Sequence, residues 1–323
     1  MFQYCNAKHV MRGLAVITVL LTSCLGVPNT VQATEVRHPR TLHAADDYRI
    51  PTGKGWGKID VSGKSLWRAL RFLRAARNGI FYHGGPLILN TVNVYYIWYG
   101  SWNFSTDNTD TILDSFGRSI GGTPYFNINK TYYDSNKTHV SGLVALPNTF
   151  TDAGSYGSTL SDGDVQNIVA NALRNGLPTD TNGVYFVLTS KEVTETPGFC
   201  TQYCAWHTHG TINGHDIKYG FVGDPAQCPS ACSAQSTTPN GNFTADSMAN
   251  LIAHELAEST TDSDLNAWYN RQGYENADKC AWKFGATQTA SNGSKYNVSF
   301  GGRNWLPQQN WINAGGGYCT LTN

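Results

Sequence analysis

An α/β fold, built on a mixed sheet with a helix beneath it, is what this sequence predicts, with a segregated α+β arrangement as the alternative. Three observations carry that expectation. Runs of β-branched and aromatic residues recur at Val92–Tyr99, 184–190 and 217–222, each of strand length and suited to a pleated, buried surface. Between the first two stands a helix: Ser161 and Asp164 form a capping box, and Val165, Ile168, Val169 and Leu173 make one apolar face. Gly176-Leu177-Pro178 stops it near Asn175. The third observation is a later helix beginning near Thr244 or Asp246, whose Met248, Ile252 and Leu256 repeat every fourth residue. No internal repeat breaks the order, and residues 64–323 are read as one domain large enough for a sizeable core.

The N-terminus reads as an export signal over residues 1–33. Lys8 and Arg12 lead, an apolar run follows from Gly13 to Val27, and Val31-Gln32-Ala33 offers a small-residue cleavage site. Residues 34–63 lack periodicity and are read as a disordered leader or pro-segment. Over 65–78 a helix is expected, with Leu66, Leu70 and Leu73 inward, Arg68, Arg71, Arg74 and Arg77 on a solvated face, and Gly79 as C-cap. No later run is long and apolar enough to span a membrane. Formal net charge is zero and 14% of residues are charged, which argues against nucleic acid as a partner and against a polybasic membrane patch. A monomer outside the cell is expected.

Cysteine usage agrees with export. Loss of Cys5 and Cys24 with the signal leaves Cys200, Cys204, Cys228, Cys232, Cys280 and Cys319. An even set in an oxidising compartment predicts disulfides, with the pairing left open. N-x-S/T sequons at Asn103, Asn129, Asn136, Asn242, Asn292 and Asn297 make a glycoprotein the expectation for a eukaryotic host.

The chemistry concentrates in His254-Glu255-Leu256-Ala257-Glu258. Residues four apart share a helix face, so His254 and Glu258 are placed to grip one metal ion, with Glu255 beside them as general base. This is the zinc-peptidase pattern H-E-x-x-H with a carboxylate in place of the second histidine, and it points to a zincin-like version of the mixed sheet. Asp264 stands ten residues after His254, where compact zinc peptidases place a third ligand, although Thr261 occupies the position of their turning glycine. Asp262, Glu275, Asp278, His207 and His209 compete for that role. Zn²⁺ is the first choice of ion, with Mn²⁺ and Ca²⁺ as alternatives because two carboxylates make a hard site. The ligands are expected at the floor of an open cleft, and 217–222 as an edge strand forming a shelf for extended peptide. Read without a metal, the same residues are the polar face of an amphipathic helix. Trp98, Tyr99 and Trp102 suit either a sugar-stacking platform or the core, the core being favoured.

A set of ordered phrases carries a family resemblance. Tyr82-His83-Gly84-Gly85-Pro86-Leu87 leads into Val94-Tyr95-Tyr96-Ile97-Trp98-Tyr99-Gly100-Ser101-Trp102. Val184-Tyr185-Phe186-Val187-Leu188-Thr189 follows, then Cys204-Ala205-Trp206-His207, Phe221-Val222-Gly223 and Gln227-Cys228-Pro229. In this order, over about Tyr82 to Cys319, the chain resembles the EXORDIUM or phosphate-induced protein family. The resemblance implies a secreted, apoplast- or wall-associated protein linked to growth and nutrient responses. The H-E-x-x-E helix, the turn with Asp262 and Asp264, and Glu275-Asn276-Ala277-Asp278-Lys279-Cys280 mark a microbial-type member. Two functions follow as expectations: a metal-dependent, peptidase-like hydrolase acting on extracellular peptide, or a non-catalytic apoplastic module binding wall polysaccharide or signalling.

Overall fold

Six strands form the central sheet of the computed structural model, which describes residues 49–56, 79–196 and 198–323. They are β1 (Lys54–Trp56), β2 (Val92–Tyr99), β3 (Val144–Asp152), β4 (Gly183–Thr189), β5 (Tyr203–Ile212) and β6 (His215–Val222). Their order across the sheet is β1-β5-β6-β4-β2-β3. The strands from β6 through β4 and β2 to β3 run parallel, β5 is antiparallel to β6, and β1 is antiparallel to β5. The signal reading over 1–33, most of the leader and the helix at 65–78 lie outside the described residues.

The parallel core of the sheet explains its composition. β2 and β4 are buried along almost their whole length, as strands covered on both faces must be, and both read as near-continuous apolar runs. Helix α1 (Thr109–Ser119) connects β2 to β3, and α2 (Asp162–Arg174) connects β3 to β4. These crossovers step in opposite directions across the sheet, so right-handed connection puts the two helices on opposite faces. The capping box of α2 is present as expected: Asp164 N–H donates to Ser161 Oγ at 3.2 Å, and Ser161 N–H donates to Asp164 Oδ2 at 2.8 Å. Helix α3 (Phe243–Thr261) packs with α1 and against β5 and β6.

Two expectations are corrected here. Strand 217–222 is no edge: β6 lies inside the sheet between β5 and β4. Helix α3 has no polar flank open to water, because every residue from Ala245 to Thr261 is buried. Its polar C-terminal turns satisfy themselves instead, Ser259, Thr260 and Thr261 donating to the carbonyls of Glu255, Leu256 and Ala257. Trp98 and Tyr99 belong to the core, the reading the sequence favoured for them.

The loop-rich second half is held by three disulfides, Cys200–Cys228, Cys204–Cys232 and Cys280–Cys319, so all six cysteines among the described residues are oxidised. The last ties the turn Asp278–Cys280 to a hairpin of β7 (Asn310–Ile312) and β8 (Tyr318–Thr320). Among the sequons, Asn103, Asn136 and Asn292 are exposed. Asn129 is fully buried and accepts from Asn276 and Asn310, leaving no room for a glycan there.

Candidate metal centre

Helix α3 places His254 and Glu258 on one face, and the sheet and the Cys280 loop bring further ligand-type groups to them. His254 Nε2 lies 3.1 Å from Glu258 Oε1 and 3.5 Å from Asp278 Oδ1. From β5, His207 Nε2 lies 3.6 Å from Glu258 Oε2 and 3.2 Å from Glu275 Oε1. Glu255 stands with His207 and Glu258, one ligand-type atom of each falling within 4.8 Å of the others. Glu258 thus belongs to both triads: His254, Glu258, Asp278 and His207, Glu255, Glu258.

The local structure fixes these side chains. Asp278 N–H donates to Glu258 Oε1 at 2.9 Å, so the turn after Glu275 is clamped onto α3, and Cys280–Cys319 holds the turn from behind. Gln308 bridges to His254: its backbone N–H donates to Asn250 Oδ1 at 2.8 Å, and its side-chain nitrogen lies 2.9 Å from His254 Nδ1. With Gln308 Oε1 accepting from Trp282 N–H, the amide donates to Nδ1 and the ring proton of neutral His254 sits on Nε2. An ion at Nε2 requires this amide to turn so that its oxygen faces Nδ1–H.

Electrostatically the centre is far out of balance. Glu255, Glu258 and Glu275 are each 1% exposed, and Asp262 is not exposed at all. Asp278 completes five carboxylates around two histidines, and no ion pair from Lys or Arg to any of the five occurs among the described residues. Burial pushes the Glu255 carboxyl well above its usual range, against the pull of His254, and Glu258 and Asp278 push it further. Glu275 is raised in the same way, by burial and then by Glu258 and Asp262, while burial lifts Asp262 to about 7 despite its backbone donors. The two histidines diverge. Burial takes His207 down to about 4, with Glu258 opposing and His254 assisting. Burial also works to lower His254, but Glu258 and Asp278 override it, and its pKa rises. A charge on His254 thus disfavours one on His207.

Three polar atoms here have no partner, His207 Nδ1, Glu255 Oε2 and Asp262 Oδ2, while His254 Nε2, Glu275 Oε1 and Asp278 Oδ1 have only histidine–carboxylate contacts of 3.1–3.5 Å. Orphaned buried atoms of this kind are uncommon, and several in one cluster, all nitrogen or carboxylate oxygen, form a donor set that fits a divalent cation.

Asp264 is not brought to this cluster. α3 ends at Thr261, and Asp262 turns inward so that its carboxylate accepts from Ala267 N–H. That turn carries Asp264 towards β5 and β6, where it lies 3.7 Å from His209 Nδ1 and 3.6 Å from Lys218 Nζ. Asp278, not Asp264, is the carboxylate that lies with His254 and Glu258. His207 and Glu275, named only as competitors in the sequence, are at the centre of the cluster; His209 is not. The cluster is also enclosed, where an open cleft was expected.

Fold and site together define a disulfide-bonded mixed α/β protein with a buried histidine–carboxylate centre. The family described as phosphate-induced protein 1 conserved region matches residues 80–300, and the chain belongs to that family. Two relatives from Arabidopsis thaliana agree. Protein EXORDIUM-like 5 is 31% identical over 214 residues, covering 58% of this chain and 59% of its own length. Protein EXORDIUM-like 3 is 29% identical over 282 residues, covering 75% and 82%. The match therefore spans less than two thirds of the first of these proteins. No solved structure matches the chain. No described helix is long and apolar enough to cross a membrane.

Proposed function

We propose that this is a secreted protein whose buried centre binds one divalent cation, Zn²⁺ first with Mn²⁺ or Ca²⁺ as alternatives, and hydrolyses peptides on a zincin-like scaffold. The charge imbalance carries the reading. Each uncompensated carboxylate taken out of water costs several kcal/mol on the order-of-magnitude scale for buried ions, and here five crowd around two histidines with no lysine or arginine paired to them among the described residues. His254, Glu258 and Asp278 would hold the ion, with His207 and Glu275 flanking it. A bound dication supplies Lewis acidity, polarising a carbonyl or a water. Glu255 takes the proton of the attacking water and returns it to the leaving amine, a role suited to a carboxylate whose pKa is raised by its surroundings. Export is supported by the three disulfides and by kinship with the EXORDIUM-like proteins.

The enclosure of the site favours a second reading, in which the ion is purely structural, since acidic ligands suit a structural cation equally well. Elemental analysis and a peptidase assay on three proteins separate the two. The wild type is expected to carry near one equivalent of metal, Glu255→Gln to keep the metal and lose hydrolysis, and His254→Ala to lose both. Metal that survives in every protein without hydrolysis in any supports the structural ion. No metal in the wild type after supplementation ends both readings.

A further inference from the structure

The strand that carries His207 is bordered by an identifiable segment of the chain. Without β1, strand β5 would be the free edge of the sheet on the side of the buried centre. β1 closes that edge over three residues only, pairing Lys54 with Trp206 and Trp56 with Tyr203 across a bulge. Just before it, Gly53 accepts from the His207 backbone N–H at 2.7 Å. Gly53 has a φ of +64°, and a Cβ added there would lie 1.9 Å from the His207 carbonyl oxygen and 3.2 Å from Leu265 Cδ2. The segment thus presses a residue without a side chain onto the backbone of a residue in the centre.

Main-chain hydrogen bonds and the Lys54 side chain both hold this segment. Arg49 N–H donates to Arg271 O at 3.1 Å. Lys54 Nζ pairs with Asp162 at 2.9 Å and lies over the Tyr203 ring at 4.5 Å. Ile50 is 73% exposed, and of the residues from Ile50 to Thr52 only Pro51 is buried. Over residues 50–52, apolar burial, the dominant stabiliser of a packed strand, is confined to Pro51. Backbone hydrogen bonds along a sheet edge are what any extended polypeptide can supply in its place.

We propose that the outer edge of β5 is a groove for an extended polypeptide running antiparallel to it, filled in the resting chain by its own residues 49–56. The substrate of the centre is then a polypeptide strand, and the centre stays latent until this segment is displaced. The proposal rests on the metal-hydrolase reading for its consequence, though not for the groove itself.

Full-length Gly53→Val tests it, because the added side chain cannot sit against His207. Hydrogen exchange of the His207 amide is expected to accelerate by about tenfold or more, as for an edge that opens locally. A fluorescent peptide of residues 49–56 should bind the variant and not the wild type, and the same peptide carrying Gly53→Val should bind neither. Lys54→Met, which keeps the backbone fit and removes the lysine anchor, should accelerate the same amide by about threefold and covers the case in which Gly53→Val fails to fold. Unchanged exchange in the folded variants overturns the proposal, as does an opened edge that does not take the peptide. Metal content, measured on the same samples, keeps the two ideas apart. If neither protein binds metal, the hydrolase reading fails while the groove is still decided by exchange and peptide binding.

Discussion

Two clusters of histidine and carboxylate hang from β5, on residues two apart that face the same side of the sheet, and they differ in how their charge is met. Around His209, Asp216 and Asp264 the countercharge is built in: Lys218 Nζ lies 2.5 Å from Asp216 and 3.6 Å from Asp264, and the group is part exposed. Around His207 and His254 the carboxylates are buried and no lysine or arginine pairs with them among the described residues. The first cluster is complete as a salt-bridge network, and a cation entering it would have to displace its lysine. The second requires protons or an external cation to be stable at neutral pH. Similar residue types therefore give a self-neutralised polar network in one place and a centre without built-in countercharge in the other.

That contrast can be broken most forcefully by chelation. For an ion present a thousandfold above its dissociation constant, removal costs about 4 kcal/mol, which for a chain of this size lowers the unfolding midpoint on the order of 10 °C. Calorimetry with and without chelator reads this, and re-addition of the ion should restore the midpoint. Next in size is Cys319→Ser, which frees the turn carrying Asp278. A cost of about 2–5 kcal/mol is expected, together with loss of metal, whereas Cys200→Ser should cost a similar amount and keep the metal. In the self-neutralised cluster, Asp264→Asn should change stability by less than about 1 kcal/mol, the range of part-exposed pairs, and leave metal content unchanged.

A pH dependence away from both clusters sharpens the comparison. Burial lifts the Glu195 carboxyl to about 8, helped by Asp162 and opposed by the Tyr203 hydroxyl, which donates to it at 2.5 Å. A carboxyl raised in the folded state stabilises the protein fully below its ordinary value of 4.5, and that contribution is lost as pH rises through about 8. Glu195→Gln should therefore flatten the fall in stability across that window relative to the wild type. Urea midpoints of both proteins at several pH values check the sign.

The local part of this site was legible in the sequence, and the long-range part was not. The spacing of His254 and Glu258 and the period of Met248, Ile252 and Leu256 follow from helix geometry alone, and the helix lies where they indicate. Asp264 was misplaced because the ten-residue spacing assumes a glycine turn, whereas the turn here is built by Asp262 bonding to Ala267. His207 and Glu275 arrive from a strand and a disulfide-held loop, and no periodicity links them to α3. Strand β3 was missed because Pro147 interrupts it. The strand tolerates the proline because it is the sheet edge and the pairing shifts register there. β1 was missed because three residues, Lys-Gly-Trp, carry no alternation to read.

The central claim is that the divalent ion sits at Glu258 and not at the lysine-filled cluster. Anomalous X-ray diffraction from crystals grown with zinc, measured on both sides of the zinc edge, locates the ion directly. The account expects one strong peak about 2.0–2.2 Å from His254 Nε2 and from a Glu258 carboxylate oxygen, with Asp278 turned towards it and Gln308 presenting its oxygen to Nδ1. A peak beside Asp264 and His209, or none within reach of Glu258, would contradict it.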